Sequence, residues 1–207
     1  MPSLWDRYVV PGLIACACAG PSIMKQRPKV VPKASGRVLE LGVGGGLNLA
    51  FYDPTKVSEV VGIDPSIGLR QRAERAPRPD GLKVTVVDGS AEALPFDAGT
   101  FDCVVCTFTL CSVGSPSAAL SEARRVLKPG GRYLFCEHGL APDPEVAKWQ
   151  RRIEPFWRPI AGGCHLTRPI VPPIEAAGFE VSERDSMYLP GAPRIAGWNE
   201  WGVAVAA

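Results

Sequence analysis

The sequence predicts an α/β fold, a doubly wound and mostly parallel sheet with helices on both faces. Short apolar runs alternate with helical patterns between residues 36 and 140, and this alternation is typical of parallel sheets. The first apolar run is followed by four glycines in five positions, GVGGG. Near the C-terminus, FEVSERDSMYL and WNEWGVAVA follow each other without a long helical pattern. This last pair predicts an antiparallel hairpin that closes the sheet.

The elements are predicted in order from these patterns. Five strands follow the runs GRVLELG, EVVGIDPS, LKVTVVDGS, FDCVVCTFTL and GRYLFCEHG. Helices are predicted at LNLAFYD, SIGLRQRAERA and SPSAALSEARRVL, the last of which ends at KPGG, a common helix stop. Right-handed crossovers then place helices on both faces of the sheet.

The chain is predicted to form one domain over residues 36–207, preceded by an N-terminal helical cap segment over residues 1–35. Residues 141–169 are rich in Pro, Trp and Gly, and we expect a helical or loop insert over the substrate side of the sheet. The N-terminal run VVPGLIACACAG is shorter than the roughly 20 residues of a membrane helix and lacks the basic region of a signal peptide. A cytoplasmic protein is therefore predicted.

Composition excludes several function classes. A net charge of +2 in 207 residues predicts no nucleic-acid footprint. Seven cysteines, an odd number, argue against a disulfide framework and favour a reducing compartment. Cys103 and Cys106 have CxxC spacing but lie in a predicted strand, where residues three apart point to opposite faces. They are predicted to be buried free thiols, and no metal site is predicted.

The glycine-rich turn predicts a nucleotide-like ligand at the edge of the sheet. Its spacing is G-x-G-x-G, with Leu47 where the dinucleotide fingerprint needs a third glycine, which disfavours a pyrophosphate. Asp64 ends the second strand, a position suited to accept hydrogen bonds from ribose hydroxyls. The loop DGSAE after the third strand is placed to contact an adenine. These three loops predict an adenosine compound without a diphosphate.

Four segments, ELGVGGG, GIDPS, DGSAEALPFDAGTFD and RRVLKPGGRYLF, resemble the class I S-adenosylmethionine-dependent methyltransferases over roughly residues 36–140. The resemblance implies a Rossmann-like seven-stranded sheet with an antiparallel last strand. It also implies S-adenosylmethionine as cofactor and S-adenosylhomocysteine as product. Relatives usually carry Asp where this chain has Ser90, so an adenine contact there would rest on a hydroxyl. The cofactor-binding residues implied by the resemblance are Glu40, Gly42, Gly44, Gly46, Asp64, Pro65, Ser90, Ala91 and Thr107.

A narrower likeness extends through the insert. The segments CTFTLCSVGSP, CEHGLAPD, WQRRIEPFW and GGCHLTR resemble the methyltransferase-like 7 family, whose members are regarded as alkyl thiol methyltransferases. This resemblance covers residues 106–168 and implies a small apolar or thiol acceptor.

The candidate acceptor site combines the ends of two strands with the insert. His138 and His165 are the only histidines, and they are predicted to orient or deprotonate the acceptor; the alternative is that each only pins the insert. The predicted substrate-side residues are Cys111, Trp149, Trp157 and Arg168. Apolar packing within the insert is the alternative for the two tryptophans.

The predicted function is methyl transfer from S-adenosylmethionine to a small acceptor, with thiol S-methylation favoured. One alternative is O- or N-methylation of a quinol, phenol or phospholipid amine. Another is a non-catalytic cofactor-binding interaction module. Nucleic acid is not expected as a partner, peripheral membrane contact is not favoured, and the oligomeric state stays open.

Overall fold

A computed structural model describes residues 18–206, which form a seven-stranded sheet flanked by helices. The strands are β1 (Gly36–Leu41), β2 (Val57–Asp64), β3 (Val84–Asp88), β4 (Phe101–Thr107), β5 (Leu127–His138), β6 (Phe179–Tyr188) and β7 (Trp198–Ala206). The α-helices are α1 (Pro21–Met24), α2 (Ile67–Arg75), α3 (Pro116–Val126), α4 (Pro144–Ile160), α5 (Val171–Ala176) and α6 (Arg194–Gly197). Of the predicted N-terminal cap segment, residues 1–17 lie outside the described residues.

The sheet has the strand order β3-β2-β1-β4-β5-β7-β6. The pairs from β3 through β5 are parallel, whereas β7 is antiparallel to both β5 and β6. This order confirms the predicted α/β sheet with a reversed last strand. The chain leaves β1 towards β2 and later returns to β4 on the other side of β1. A ligand crevice is expected at the carboxyl ends of β1 and β4, where the strand order reverses.

Local sequence explains the two helices that flank the crevice. Ser66 caps α2 by accepting a hydrogen bond from the backbone N–H of Leu69, and Ser115 caps α3 through the N–H of Ala118. Pro116 stands in the first turn of α3, where its missing N–H costs nothing. The core side of α3 is fully buried against the sheet. Both caps fix the loops that lead from the strands into the helices.

The core lies on both faces of the sheet. Cys106 packs in the cluster on the α3 face, whereas Cys103 packs in the cluster on the opposite face. Both thiols are free, and their positions on opposite faces of the sheet confirm the geometry predicted for residues three apart on a strand. Burial raises the pKa of Cys103 to about 12, as expected for a thiol in apolar surroundings.

The helix predicted at LNLAFYD is absent. The structure has only a 3₁₀ turn at Leu49–Phe51, and Tyr52 is extended. Pro54 follows closely, and the residue before a proline is disfavoured in the helical region. The segment between the glycine turn and Pro54 is therefore too short for an α-helix, and the prediction was wrong.

Helix α4 forms most of the insert and is fastened over the carboxyl edge of the sheet by Gln150. The Gln150 side-chain amide donates to the carbonyls of Gly139 and Ile195, both at 3.0 Å, and accepts from the N–H of Ala141 at 2.9 Å. The three bonds join the helix to the end of β5 and to α6. Within residues 18–206, no helix has the length and apolar character needed to cross a membrane.

Candidate functional site

Two adjoining cavities open at the carboxyl edge of the sheet. The first, here named the glycine-loop cavity, has a volume of about 450 Å³ and lies at the ends of β1, β2 and β4. The second, named the apolar cavity, has a volume of about 550 Å³ and lies between α1, α4 and the end of β5. Cys18, Phe108 and Ser112 line both. A molecule in one cavity would therefore contact a molecule in the other.

The glycines of the loop lack a side chain for different structural reasons. Gly44 lines the glycine-loop cavity with φ +54°, and a Cβ added there would have no atom closer than 3.8 Å. That open space is accessible to a ligand in the cavity. Gly42 also lines the cavity, but its added Cβ would lie 2.4 Å from Oγ1 of Thr109. A glycine at position 44 thus leaves the cavity accessible, whereas a glycine at position 42 allows close packing against Thr109.

Gly46, which was predicted to contact the cofactor, does not line the cavity. A Cβ on Gly46 would lie 2.6 Å from the Cβ of Ala76 and 3.0 Å from the Cα of Ala73. Gly46 therefore lets the loop pack against the C-terminal turn of α2. Its place in the cavity wall is taken by Gly45 and Leu47.

Asp64 forms the polar wall of the glycine-loop cavity. Its Oδ1 accepts the N–H of Ser66 at 2.8 Å and its Oδ2 accepts the N–H of Gly44 at 3.0 Å. Burial raises the pKa of Asp64, against the lowering effect of these two bonds. Each carboxylate oxygen keeps a further lone pair, and Pro65 and Ser66 line the same wall. This geometry suits a ligand with two neighbouring hydroxyls.

The loop after β3 forms the opposite rim. Ser90 and Ala91 line the cavity as predicted, but the Ser90 hydroxyl donates to Oε2 of Glu92 at 3.0 Å. Oε1 of Glu92 accepts the N–H of Ser115 at 2.6 Å. Glu92, which was not among the predicted site residues, therefore ties this rim to the start of α3 and also lines the cavity.

Glu40 belongs to a buried network behind the cavity rather than to its wall. Glu40 is only 1% exposed, and it accepts hydrogen bonds from Tyr52 Oη at 2.8 Å and Asn48 Nδ2 at 3.0 Å. Burial raises its pKa to about 7, although Tyr52, Arg27 and Asn48 oppose the shift. Glu40 does not line the cavity, and its hydrogen bonds support Asn48 and Tyr52; its predicted contact with the cofactor stays a prediction.

Arg27 is the functional candidate that sequence reasoning missed. It lines the glycine-loop cavity and is only 4% exposed. One guanidinium nitrogen donates to Asn48 Oδ1 at 2.8 Å and to Thr107 Oγ1 at 2.9 Å, while Nε finds no hydrogen-bond partner among the described residues. A buried cation at the cavity wall is suited to an anionic ligand group. No local motif around Arg27 signals this role, because its partners lie far along the chain.

The loop after β4 is held in a strained conformation between the two cavities. Phe108 has φ +54°, and no other non-glycine residue in the described range has a positive φ. Such a conformation costs on the order of 1 kcal/mol. The buried carboxylate of Glu137 fixes the loop by accepting the N–H groups of Thr109 at 2.9 Å and Leu110 at 3.3 Å. Phe108 is thereby kept at the boundary between the cavities.

The apolar cavity has one polar corner. His138 Nε2 lies 3.0 Å from Cys164 Sγ, and Cys111 lines the same corner. Burial lowers the pKa of His138, but the Cys164 contact and the Glu137 charge outweigh it, so the net pKa is raised. Trp157 lines the cavity, and its Nε1 has no hydrogen-bond partner among residues 18–206. His138, Cys111 and Trp157 thus lie together, as predicted.

Three predicted acceptor residues lie elsewhere. His165 lines neither cavity, because its Nδ1 pairs with Glu154 Oε1 at 3.0 Å and fastens α4. Trp149 is 51% exposed and faces the Arg152 guanidinium instead of the cavity. Arg168 donates to the carbonyl of Leu110 and lies outside both cavities. Their positions depend on how α4 and the following loop dock.

Comparison with known proteins gives a consistent result. A methyltransferase-domain family profile matches residues 39–135. Rat thiol S-methyltransferase TMT1B is 37% identical over 169 residues, which cover 77% of this chain and 68% of the relative. Human thiol S-methyltransferase TMT1A is 31% identical over 181 residues, or 84% of this chain and 72% of the relative.

A solved structure agrees in fold. A Thermotoga maritima protein described as a SAM-dependent methyltransferase superposes with a TM-score of 0.66 at 21% identity, with 98% of each chain covered. At this identity the similarity shows the fold, and it extends across the full sheet and the elements that frame both cavities.

Proposed function

Since this chain belongs to the thiol S-methyltransferase family of S-adenosylmethionine-dependent methyltransferases, we propose that it methylates the sulfur of a small apolar thiol. The chain is an enzyme of the predicted class, and its acceptor is a small molecule. The observation that carries the proposal is the pair of cavities that share Phe108 and Ser112. One is suited to an adenosine compound, and the other to an apolar partner.

In the proposed complex, the cofactor occupies the glycine-loop cavity. Asp64 accepts the ribose hydroxyls, and the adenine lies along Ser90 and Ala91. The methionine part lies along Gly42 and Gly44, and the missing side chain of Gly44 leaves room for it. These contacts follow from the lining of the cavity and from the bonds that hold the Asp64 carboxylate.

Arg27 is proposed to bind the cofactor carboxylate. Its buried positive charge at the wall of the cavity supports this role, because a buried charge is costly until an oppositely charged group pairs with it. Thr107 accepts from the same guanidinium and holds it at the cavity wall. Glu40 contributes indirectly, through Asn48.

Methyl transfer needs positioning more than acid–base chemistry. When bound, S-adenosylmethionine would supply a methyl group on a sulfonium; an acceptor thiolate would bond to this methyl carbon as the carbon–sulfonium bond breaks, giving a thioether and S-adenosylhomocysteine. Alignment and exclusion of water lower the barrier of such a reaction. The attacking form of the acceptor is the thiolate rather than the thiol. His138 is proposed to orient the acceptor sulfur from the polar corner of the apolar cavity.

The lining of the apolar cavity favours an uncharged acceptor chain. Within residues 18–206, no Asp, Glu, Lys or Arg side chain lines it. The apolar lining residues include Pro21, Ile23, Trp157, Ile160 and Leu189. A phospholipid amine with its phosphate would lose hydration there without a charged partner, whereas an alkyl thiol would gain from burial.

The test uses a set of acceptors, three of which differ only in the atom that would be methylated. Purified enzyme with methyl-labelled S-adenosylmethionine is incubated with 1-hexanethiol, 1-hexanol and hexylamine, and with a phenol and a quinol. Products are identified by mass spectrometry. We expect labelled methyl hexyl sulfide and no oxygen or nitrogen product. Label on oxygen or nitrogen alone would refute thiol methylation while preserving the cofactor assignment.

A chain-length series sharpens the result. Ethanethiol, butanethiol and hexanethiol present the same sulfur with increasing apolar length. KM is expected to fall by up to about fourfold per added methylene, which corresponds to about 0.8 kcal/mol of burial, until the cavity is filled. A KM independent of chain length would argue against binding in the apolar cavity.

A further inference from the structure

Three metal-binding side chains meet in the polar corner of the apolar cavity. The donor atoms of Cys111, His138 and Cys164 all lie within 4.8 Å of one another. They come from three separate parts of the fold: the loop after β4, the end of β5 and the loop after α4. Because the three residues are far apart in sequence, their spacing matches no metal motif, and sequence reasoning predicted none.

We propose that Cys111, His138 and Cys164 bind a zinc ion with an open coordination position. Two thiolates and one imidazole are typical zinc ligands, and three protein ligands with a free fourth position are typical of catalytic zinc. Tetrahedral Zn–S and Zn–N bonds separate the donor atoms by about 3.4–3.8 Å. His138 Nε2 and Cys164 Sγ, now 3.0 Å apart, need to separate by only a few tenths of an ångström.

The surroundings are compatible with this ion. All three residues line the apolar cavity, so the fourth position faces the space proposed for the acceptor. The Glu137 carboxylate next to His138 is turned towards the loop after β4, where it accepts backbone N–H groups, and does not belong to the donor cluster.

The role of the ion rests on the proposed function. An acceptor R–SH would bind at the fourth position as a thiolate and release its proton to solvent. The thiolate sulfur would attack the methyl carbon of the sulfonium as the carbon–sulfonium bond breaks. The product thioether is a neutral, weaker ligand, so it would leave the zinc together with neutral S-adenosylhomocysteine. The site would therefore supply thiolate and select sulfur over oxygen or nitrogen acceptors.

The test measures metal binding without measuring activity. The full-length protein is treated with chelator under reducing conditions and titrated with Co²⁺, whose tetrahedral complexes absorb strongly in the visible range. We expect one Co²⁺ per chain, with thiolate charge-transfer bands corresponding to two cysteines. Zn²⁺ should then displace Co²⁺ stoichiometrically. Adding 1-hexanethiol to the Co²⁺ protein should increase the charge-transfer intensity to that of three thiolates.

The variants Cys111→Ser, Cys164→Ser and His138→Gln should each weaken Zn²⁺ binding about 100-fold or more, measured against a chromophoric chelator. Cys18→Ser is the matched control, since Cys18 lines the same cavity but lies outside the donor cluster. Calorimetric S-adenosylmethionine binding, which uses the other cavity, verifies that each variant is folded.

Two results would overturn the zinc site. One is the absence of tetrahedral Co²⁺ bands, or bands that persist equally in Cys111→Ser and Cys164→Ser. The other is a Cys111–Cys164 disulfide in the reduced preparation, detected by intact mass. Neither result bears on thiol methylation, which the acceptor set tests separately. Conversely, metal binding without thiol methylation would refute only the activation role.

Discussion

The two cavities differ in what builds them. The glycine-loop cavity is formed by strand ends and short loops whose polar groups are bonded to one another, as in the Asp64 bonds to Gly44 and Ser66. The apolar cavity is formed largely by side chains from α1, α4 and the segment before α6. In the proposed complex, the methyl donor would therefore be held by strand ends and short loops, whereas the acceptor would contact helices at the periphery of the fold. We therefore expect that a substitution in the lining of one cavity has little effect on ligand binding in the other.

The largest expected effect is on the glycine-loop cavity. Asp64→Ala would remove the two charge-assisted hydrogen bonds proposed to the ribose hydroxyls, each contributing about 2 kcal/mol. S-adenosylmethionine binding should weaken about 1000-fold, measured by calorimetry.

Asp64→Asn is the matched control. It keeps the shape but turns an amide N–H towards the N–H of Gly44, so a loss of about tenfold is expected. Unchanged affinity in Asp64→Ala would contradict the placement of the cofactor.

A second effect concerns stability rather than binding. Glu40 has a pKa of about 7 in the folded protein against a usual 4.5, so between these pH values the folded state binds more protons than the unfolded state. Stability therefore falls as pH rises through this window, by about 3 kcal/mol at 1.36 kcal/mol per unit. Glu40→Gln should remove this dependence, because Tyr52 Oη can rotate to accept from the new amide.

The measurement is denaturant unfolding of the cofactor-free protein at pH 4 and pH 8. Glu40→Gln should be about 3 kcal/mol more stable than the parent protein at pH 8 and similar at pH 4. Equal pH profiles for the two proteins would mean that Glu40 is ionised at an ordinary pKa.

The difference between the two cavities also explains which parts of the site the sequence predicts well. Buried strands appear as apolar runs, and the glycine turn and Asp64 follow them directly, so most of the glycine-loop cavity is readable from local pattern. Arg27 is not, because only the fold brings it to Thr107. Trp149 and Trp157 are eight residues apart, about 80° around a helix, and only docking of α4 decides that Trp157 meets the cavity. The prediction of a helix at LNLAFYD was wrong because Pro54 limits the length of that segment.

A third prediction separates two glycines of one loop. Gly46→Ala places a methyl group 2.6 Å from Ala76 Cβ and should destabilise folding by about 2 kcal/mol more than Gly44→Ala. Both variants carry a similar cost for positive φ. Gly44→Ala should instead weaken S-adenosylmethionine binding about tenfold or more, since its methyl group enters the cavity. Urea unfolding and calorimetry measure the two effects, and identical behaviour of both variants would show that the loop acts as one unit.

The smallest effect is expected in the apolar cavity. Trp157→Ala removes apolar contact worth about 1.5 kcal/mol, so KM for 1-hexanethiol should rise about tenfold. Affinity for S-adenosylmethionine should stay within twofold, because Trp157 lines only the apolar cavity. Trp157→Phe should recover most of the loss, since the Trp157 N–H has no partner in the described structure to lose.

Trp149→Ala is the control on the same helix. Trp149 is half-exposed and lies outside both cavities. The Trp149→Ala enzyme should therefore have the same kcat and KM as the parent enzyme. If Trp149→Ala and Trp157→Ala raise KM equally, the acceptor lies across the outer face of α4, and the two cavities do not divide donor from acceptor. If Trp157→Ala also weakens cofactor binding, the cavities are coupled through Phe108 and do not vary independently.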